Sequence, residues 1–199
     1  VVEIRIDGIA EADLEEAFRL CLRLRSWSVP LLITCRVKAE GGIIELDTAE
    51  RCRRLEQFSE VAAYVDLEIA SYPEMEATAK KLQAEGALLV LSYHNFEKTP
   101  TSLNEQLALA IEYGADIPKF AVMHQTPADL QICADFIQQA PQPISLMGMG
   151  ALAPVSRVLY AQLGSVLNYG YLGNKPTAPG QWSAKQLKQA IVATDSLSK

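Results

Sequence analysis

Apolar and polar residues alternate with a strand-like period of two in VVEIRID, PLLITCR, YVDLEI, ALLVLSYHN, IPKFAVMH, PISLMGM and SVLNYGY. Between several of these runs the period lengthens to that of an amphipathic helix, as in LEEAFRLCLRLRS, AERCRRLEQFSEV, MEATAKKLQAE and LNEQLALAIEY. The punctuation agrees. Gly86, Gly114 and Gly164 each follow a helical run, where a left-handed cap residue is needed. Ser102 with Glu105 reads as a capping box, and Thr126-Pro127 as an N-cap followed by a first-turn proline. Strands alternating with helices at this spacing predict parallel βα units, hence an α/β fold.

The choice is then between an open doubly wound sheet and a closed barrel. No G-x-G-x-x-G or P-loop follows a strand, which lowers the nucleotide-binding reading. In the first run Glu3, Arg5 and Asp7 share one face, and Val2, Ile4 and Ile6 the other. Thr34 and Arg36 oppose Ile33 and Cys35; Asp66 and Glu68 oppose Val65, Leu67 and Ile69. Ser92 and His94 oppose Leu91 and Tyr93, and Lys119 lies opposite the face of Phe120. A sheet covered by helices on both sides would bury these charges beneath a helix, at high cost. A (β/α)8 TIM-type barrel lets them converge at its C-terminal mouth. The sequence predicts seven strand–helix units where that fold has eight, so the expectation is a single barrel domain over residues 1–199 that lacks an N-terminal unit.

Composition narrows the class without changing it. The 199 residues carry 18 basic and 24 acidic side chains, a net charge of −6, which argues against nucleic acid or an anionic membrane as a general partner. No apolar run approaches the roughly 20 residues of a membrane-spanning helix. The first residues lack the plan of a signal peptide. Cys21, Cys35, Cys52 and Cys133 form no C-x-x-C pair and no zinc spacing with His94 or His124. Reduced, apolar-packing cysteines are expected, and with them a cytoplasmic location.

Lys119 is the most informative side chain. It sits inside a strand among Ile117, Phe120, Ala121 and Val122, facing the expected interior. It is either a structural ion-pair member or an amine that burial keeps nucleophilic, able to form an iminium with a ketone. Its position alone leaves both readings open. His94 ends its strand at the same mouth, a place suited to general acid/base work. His124 is the weaker candidate, because HQTPAD reads as a helix entry. Arg5, Arg36 and Arg157 would ring the pocket with positive charge, or else balance Glu3, Asp7, Asp66 and Glu68. Met147 and Met149 fall on the inward face of their strand, as core filling or as an apolar wall beside a substrate.

Taken in order, E-x-R-x-D (Glu3, Arg5, Asp7), T-x-R with E-G-G (Thr34, Arg36, Glu40, Gly41, Gly42), D-x-E (Asp66, Glu68), S-Y-H-N-F (Ser92 to Phe96), P-K-x-A (Pro118, Lys119, Ala121), M-G-M-G with S-R (Met147 to Gly150, Ser156, Arg157) and A-P-G-Q (Ala178 to Gln181) resemble type I 3-dehydroquinate dehydratase. Each piece is weak alone, and the ordered set is specific. The resemblance implies a lyase of the shikimate pathway and of aromatic amino acid biosynthesis that converts 3-dehydroquinate to 3-dehydroshikimate. It implies Lys119 as the Schiff-base amine, His94 as the proton carrier and Glu40 as the group orienting His94. Arg157 would hold the substrate carboxylate, with Glu3, Arg5 and Arg36 reading ring hydroxyls and the carbonyl region, and Met147 and Met149 beside the substrate. Thr177 and Gln181 would come from a loop that closes over it.

The resemblance implies no metal and no dissociable cofactor. It admits a homodimer and a fused shikimate dehydrogenase domain. Thr177 stands where the family often has serine, and Ala153 where it often has glycine. In the family E-x-R-x-D lies on the second barrel strand, and the first strand adds a serine with no equivalent here. Two alternatives accompany the lyase reading. One is an inactive or structurally dependent fragment of a multifunctional shikimate-pathway protein. The other is a different Schiff-base barrel lyase, such as a class I aldolase, which would need a phosphate site that the sequence does not display.

Overall fold

The computed structural model describes residues 1–174, 176, 178 and 180–195. Six strands are assigned to a sheet in chain order: β1 (Val2–Arg5), β2 (Leu31–Thr34), β3 (Tyr64–Glu68), β4 (Leu88–Asn95), β5 (Ile117–Met123) and β6 (Ser145–Met149). The helices α1 (Leu14–Ser26), α2 (Thr48–Gln57), α3 (Tyr72–Ala84), α4 (Leu103–Glu112), α5 (Pro127–Gln139), α6 (Ala153–Gln162) and α7 (Ala184–Asp195) lie between or after them. Contacts group the chain into two compact units, Val1–Tyr93 with Leu109–Ile117, and His94–Ala108 with Pro118 onward.

In the first unit β1 to β4 pair in parallel, with Val2 opposite Leu31, Leu32 opposite Tyr64 and Tyr64 opposite Leu88. β2 is buried along its whole length, as expected of an inner strand covered on both faces. Leu14 and Cys21 of α1, Leu55 of α2 and Met75, Ala79 and Leu82 of α3 are buried with it. α1 has Glu15 and Glu16 in its first turn and Arg23 and Arg25 in its last, matching the helix dipole. Asp47 caps α2 by accepting from the Glu50 amide at 2.8 Å. The expected C′ glycines are left-handed: Gly86, Gly114 and Gly164 have φ of 102°, 79° and 104°.

In the second unit β5 and β6 pair in parallel, Lys119 opposite Ser145, Ala121 opposite Met147 and Met123 opposite Met149. Phe120, on the opposite face of β5, packs edge-on against Phe136 of α5 with centroids 5.1 Å apart. Thr126 and Asp129 complete a reciprocal capping box at the start of α5, which extends the simpler N-cap reading.

Two expectations need correction. The first strand stops at Arg5, and Ile6 and Asp7 continue into a buried 3-10 turn, so the alternation of Glu3, Arg5 and Asp7 is broken at its last member. The seventh run, SVLNYGY, is no strand among the described residues. Serine hydroxyls take the place of a ladder there. The Leu146 amide donates to Ser165 Oγ at 2.9 Å, and Ser145 Oγ donates to the Leu167 carbonyl at 2.7 Å. Val166 N to Ile144 O, 3.1 Å, is a backbone bond along this run, and Tyr171 forms an isolated bridge with Ser183. The chain therefore shows a parallel six-stranded α/β fold in place of the seven expected units.

The buried charges of the first unit form one network. Arg36 lies 2.9 Å from Asp66 and 3.0 Å from Glu68, and it donates to Ser92 Oγ. Glu68 also accepts from Arg51, the Ser71 hydroxyl and the Val37 amide. Burial alone would raise the Glu68 pKa, but Arg36, Arg51 and these donors outweigh it and hold the carboxyl below its ordinary value. Asp7 behaves alike: burial is overcome by Arg5 and by the Ile43 and Arg36 amides. Both depressed carboxylates stabilise the fold above the unfolded value of about 4 and lose that contribution as pH falls through the folded value. A Glu68→Gln variant takes the Glu68 carboxylate from Arg51 and leaves Arg36 with Asp66, so urea melts at neutral pH should show a loss of about 3–5 kcal/mol, and its stability should fall less steeply on acidification than that of the unsubstituted chain.

Candidate active site

Lys119 occupies the same face of β5 as Ala121, and that face is closed by Met147 and Met149 of β6, with Met123 and Tyr169 packed against the cluster. Its side chain is 3% exposed, and Nζ stands 4.5 Å from the centre of the Tyr169 ring. A cation or amine over an aromatic face in an apolar wall is a strongly shaped environment. The strand register thus sets Lys119, Met147 and Met149 on one face, opposite that of Phe120.

Arg157 enters the same neighbourhood from the first turns of α6, where Pro154 helps set the helix start. The guanidinium is buried and donates from Nη1 to the Tyr169 carbonyl. Its Nε has no hydrogen-bond partner among the described residues, and no carboxylate pairs with it there. Burial pulls its pKa down to about 10, the direction expected of a cation removed from water without a counter-charge. Tyr169 thus touches both side chains, with its ring at Lys119 and its carbonyl at Arg157. Sequence reading missed it, because it lay inside a run taken as strand; an aromatic among small and polar residues was the available signal.

His94 is the seventh residue of β4 and is half-buried at the strand's C-terminal end. Its ring stacks with Phe96, centroids 6.3 Å apart and planes 14° from parallel. His124, the weaker candidate, is buried with both ring nitrogens engaged, Nδ1 at 2.9 Å from Thr99 Oγ1 and Nε2 at 2.8 Å from the Tyr160 hydroxyl. Burial lowers its pKa.

Gln181 is half-buried, and its amide donates to the Ala178 carbonyl at 3.2 Å. Gly180 explains part of A-P-G-Q. Its φ is 72°, and a Cβ there would lie 2.0 Å from the Gly150 carbonyl oxygen, so only glycine lets this turn rest on the loop between β6 and α6. Thr177 lies outside the described residues.

The first unit holds the other candidates. Glu3 accepts from Thr34 Oγ1 at 2.8 Å, and Arg5 forms a bidentate pair with Asp7, both bonds 2.8 Å, while also donating to the Gly41 carbonyl. Arg36 is the buried hub of the network already described, so the charge-balancing reading holds for Arg5 and Arg36. Glu40 ends a 3-10 turn, Lys38–Glu40, and is half-buried. The two glycines after it are required by the turn. Gly41 has φ of 87°, and a Cβ on Gly42 would lie 2.5 Å from the Arg36 carbonyl oxygen. The cysteines are free thiols; Cys35 and Cys133 are each pushed up to about 12 by burial, which makes them inert packing groups.

One unit of this parallel α/β scaffold thus holds a buried lysine, a histidine and a guanidinium that has no carboxylate partner among the described residues. Comparisons with known proteins give the family. The family model for type I 3-dehydroquinase matches residues 1–197. A 3-dehydroquinate dehydratase of Geobacillus thermodenitrificans is 33% identical over 180 residues, covering 85% of this chain and 69% of that protein. The 3-dehydroquinate dehydratase of Methanocaldococcus jannaschii is 31% identical over 193 residues, covering 95% and 84%. Among solved structures, 3-dehydroquinate dehydratase from Geobacillus kaustophilus superposes with a TM-score of 0.89 at 29% identity, covering 100% of this chain and 82% of that one. The type I enzyme from Clostridium difficile, with covalent modified comenic acid, gives 0.86 at 26% identity, covering 98% and 81%. The chain belongs to the type I 3-dehydroquinase family. It is an enzyme of the lyase class. Among the described residues no helix is long and apolar enough to cross a membrane.

Gly148 offers a test of how tightly this unit is packed. A Cβ there would lie 2.3 Å from both His124 Cδ2 and Ser156 Oγ. Gly148→Ala should lower stability by about 1–3 kcal/mol through overpacking, read as a reduced denaturant midpoint with unchanged slope.

Proposed function

We propose that the chain dehydrates 3-dehydroquinate to 3-dehydroshikimate through an iminium on Lys119. In this reading the Lys119 amine attacks the substrate ketone and one water leaves as the iminium forms. The iminium acidifies the adjacent C–H, His94 removes that proton, and the electron pair is stored as an enamine. The enamine then expels the hydroxyl one carbon further on, which leaves as water with the proton returned by His94. Hydrolysis of the remaining iminium consumes one water and frees both product and Lys119, so the net change is loss of one water.

The observation that carries the proposal is Tyr169, whose ring lies under Lys119 Nζ and whose carbonyl holds Arg157. A ketone carbon beside Lys119 and a carboxylate on Arg157 would satisfy both groups within one small, polar, anionic molecule. Binding a carboxylate would give the Arg157 guanidinium a counter-charge that no described residue supplies. Met147 and Met149 would form the apolar wall that keeps water from the reacting carbon. The Clostridium difficile relative, with its covalent modified comenic acid, supports covalent chemistry in this family. By resemblance, Glu40 is assigned the orientation of His94, and Glu3, Arg5 and Arg36 the ring hydroxyls and carbonyl region. Thr177 and Gln181 are assigned to substrate contact. The same reading treats the chain as one domain of the (β/α)8 kind.

Following formation of the conjugated product by its ultraviolet absorbance tests the assignment. Lys119→Ala should lose about 10³-fold or more in kcat, and His94→Ala about 10²–10⁴-fold. Arg157→Gln should raise KM by about 10–100-fold, the value of a charge-assisted carboxylate contact. Full activity in Lys119→Ala would overturn the proposal.

A further inference from the structure

His124 plays no part in the chemistry above, yet it is among the most completely tied side chains of its unit. Thr99 Oγ1 sends its own hydrogen to the Met123 carbonyl at 3.0 Å. Towards His124 the hydroxyl is therefore the acceptor, and the imidazole carries its hydrogen on Nδ1. The Tyr160 hydroxyl is 2.8 Å from Nε2 and 3.4 Å from the Leu130 carbonyl, so its single hydrogen goes to the nearer group and Nε2 is the acceptor. The ring is thus neutral and in one tautomer, in keeping with the lowering of its pKa by burial. It lies against Gly148 so closely that no side chain fits between them.

Thr99 belongs to the segment that follows His94. Asn95 Oδ1 shapes the start of that segment by accepting the Glu97 and Lys98 amides at 3.0 and 2.9 Å. Gln125 Nε2 donates to the Glu97 carbonyl at 2.8 Å. With the two bonds of Thr99, this ties the segment after His94 to the end of β5, the strand that bears Lys119. The exposed ring of Phe96, inside the tied segment, is the one that stacks with His94.

We infer that His124 is a positioning residue: through Thr99 it fastens the Phe96–Thr99 segment to the end of β5 and so sets where the His94 imidazole stands relative to Lys119. The inference rests on the lyase reading above and deepens it. His124 touches no reacting atom in this account. It acts through geometry, and displacements of about 1 Å at a reacting centre cost on the order of 100-fold in rate. Tyr160 fixes the tautomer, Thr99 receives its hydrogen, and Gly148 supplies the space.

Thr99→Val, Thr99→Ser and His124→Asn separate this role from general stability. Steady-state kinetics and amide hydrogen exchange should be measured on the whole chain. In Thr99→Val the amides of residues 97 to 99 should exchange at least about tenfold faster, with kcat down about tenfold or more and KM within about twofold. Thr99→Ser, which keeps the hydroxyl, should restore both, and His124→Asn, which keeps a donor in the place of Nδ1, should fall between them. Unchanged exchange in Thr99→Val overturns the clamp whatever the activity. Faster exchange with unchanged kcat overturns the positioning role. A parent chain that shows no turnover overturns the lyase reading itself, a result distinct from the other two.

Discussion

A guanidinium out of water, with no carboxylate beside it among the described residues, is the constraint on which the proposed site depends. Arg157 is buried at the start of α6, donates to one carbonyl, and keeps an Nε without a partner among the described residues. Left alone, such a cation costs free energy that packing must offset. The cost makes sense where an anion is expected to arrive. The direction of its pKa shift, down to about 10, has the same origin. Tyr169 joins this group to Lys119, with its ring at the amine and its carbonyl at the guanidinium; the proposed recognition of a carboxylate and attack on a ketone would both be framed by that one residue.

The two units handle charge in opposite ways. In the first, Arg36, Arg51, Asp66 and Glu68 are saturated by one another, and the network is complete without a ligand. In the second, Arg157 is not paired at all among the described residues. By this contrast three arginines that looked alike in the sequence differ in character: two are ion-paired, and the third has no carboxylate partner among the described residues. Arg5 is held by Asp7 and Arg36 by Asp66 and Glu68, so any contact with substrate would draw on an already occupied guanidinium.

Much of the fold was legible because its signals are local. Periods of two and of 3.6 located the first six strands and the early helices, and Gly86, Gly114 and Gly164 marked their ends. The seventh run misled because its apolar pattern is strand-like while Ser145 and Ser165 satisfy the backbone through their hydroxyls, a choice that composition does not reveal. Asp7 misled because alternation cannot see a 3-10 turn. Of the candidate site, the shared face of Lys119, Met147 and Met149 was legible from strand parity. Tyr169 and the His124 network were not, since their roles come from contacts between distant segments. The ordered motifs supplied what periodicity could not, and they led to the same family as the comparisons.

The most direct test of the central claim is chemical. The chain is incubated with 3-dehydroquinate, reduced with borohydride, digested and mapped by mass. The account predicts a stable secondary-amine adduct on Lys119, formed only when substrate is present. Turnover of 3-dehydroquinate with no trapped adduct, or with the adduct on another lysine, would contradict it.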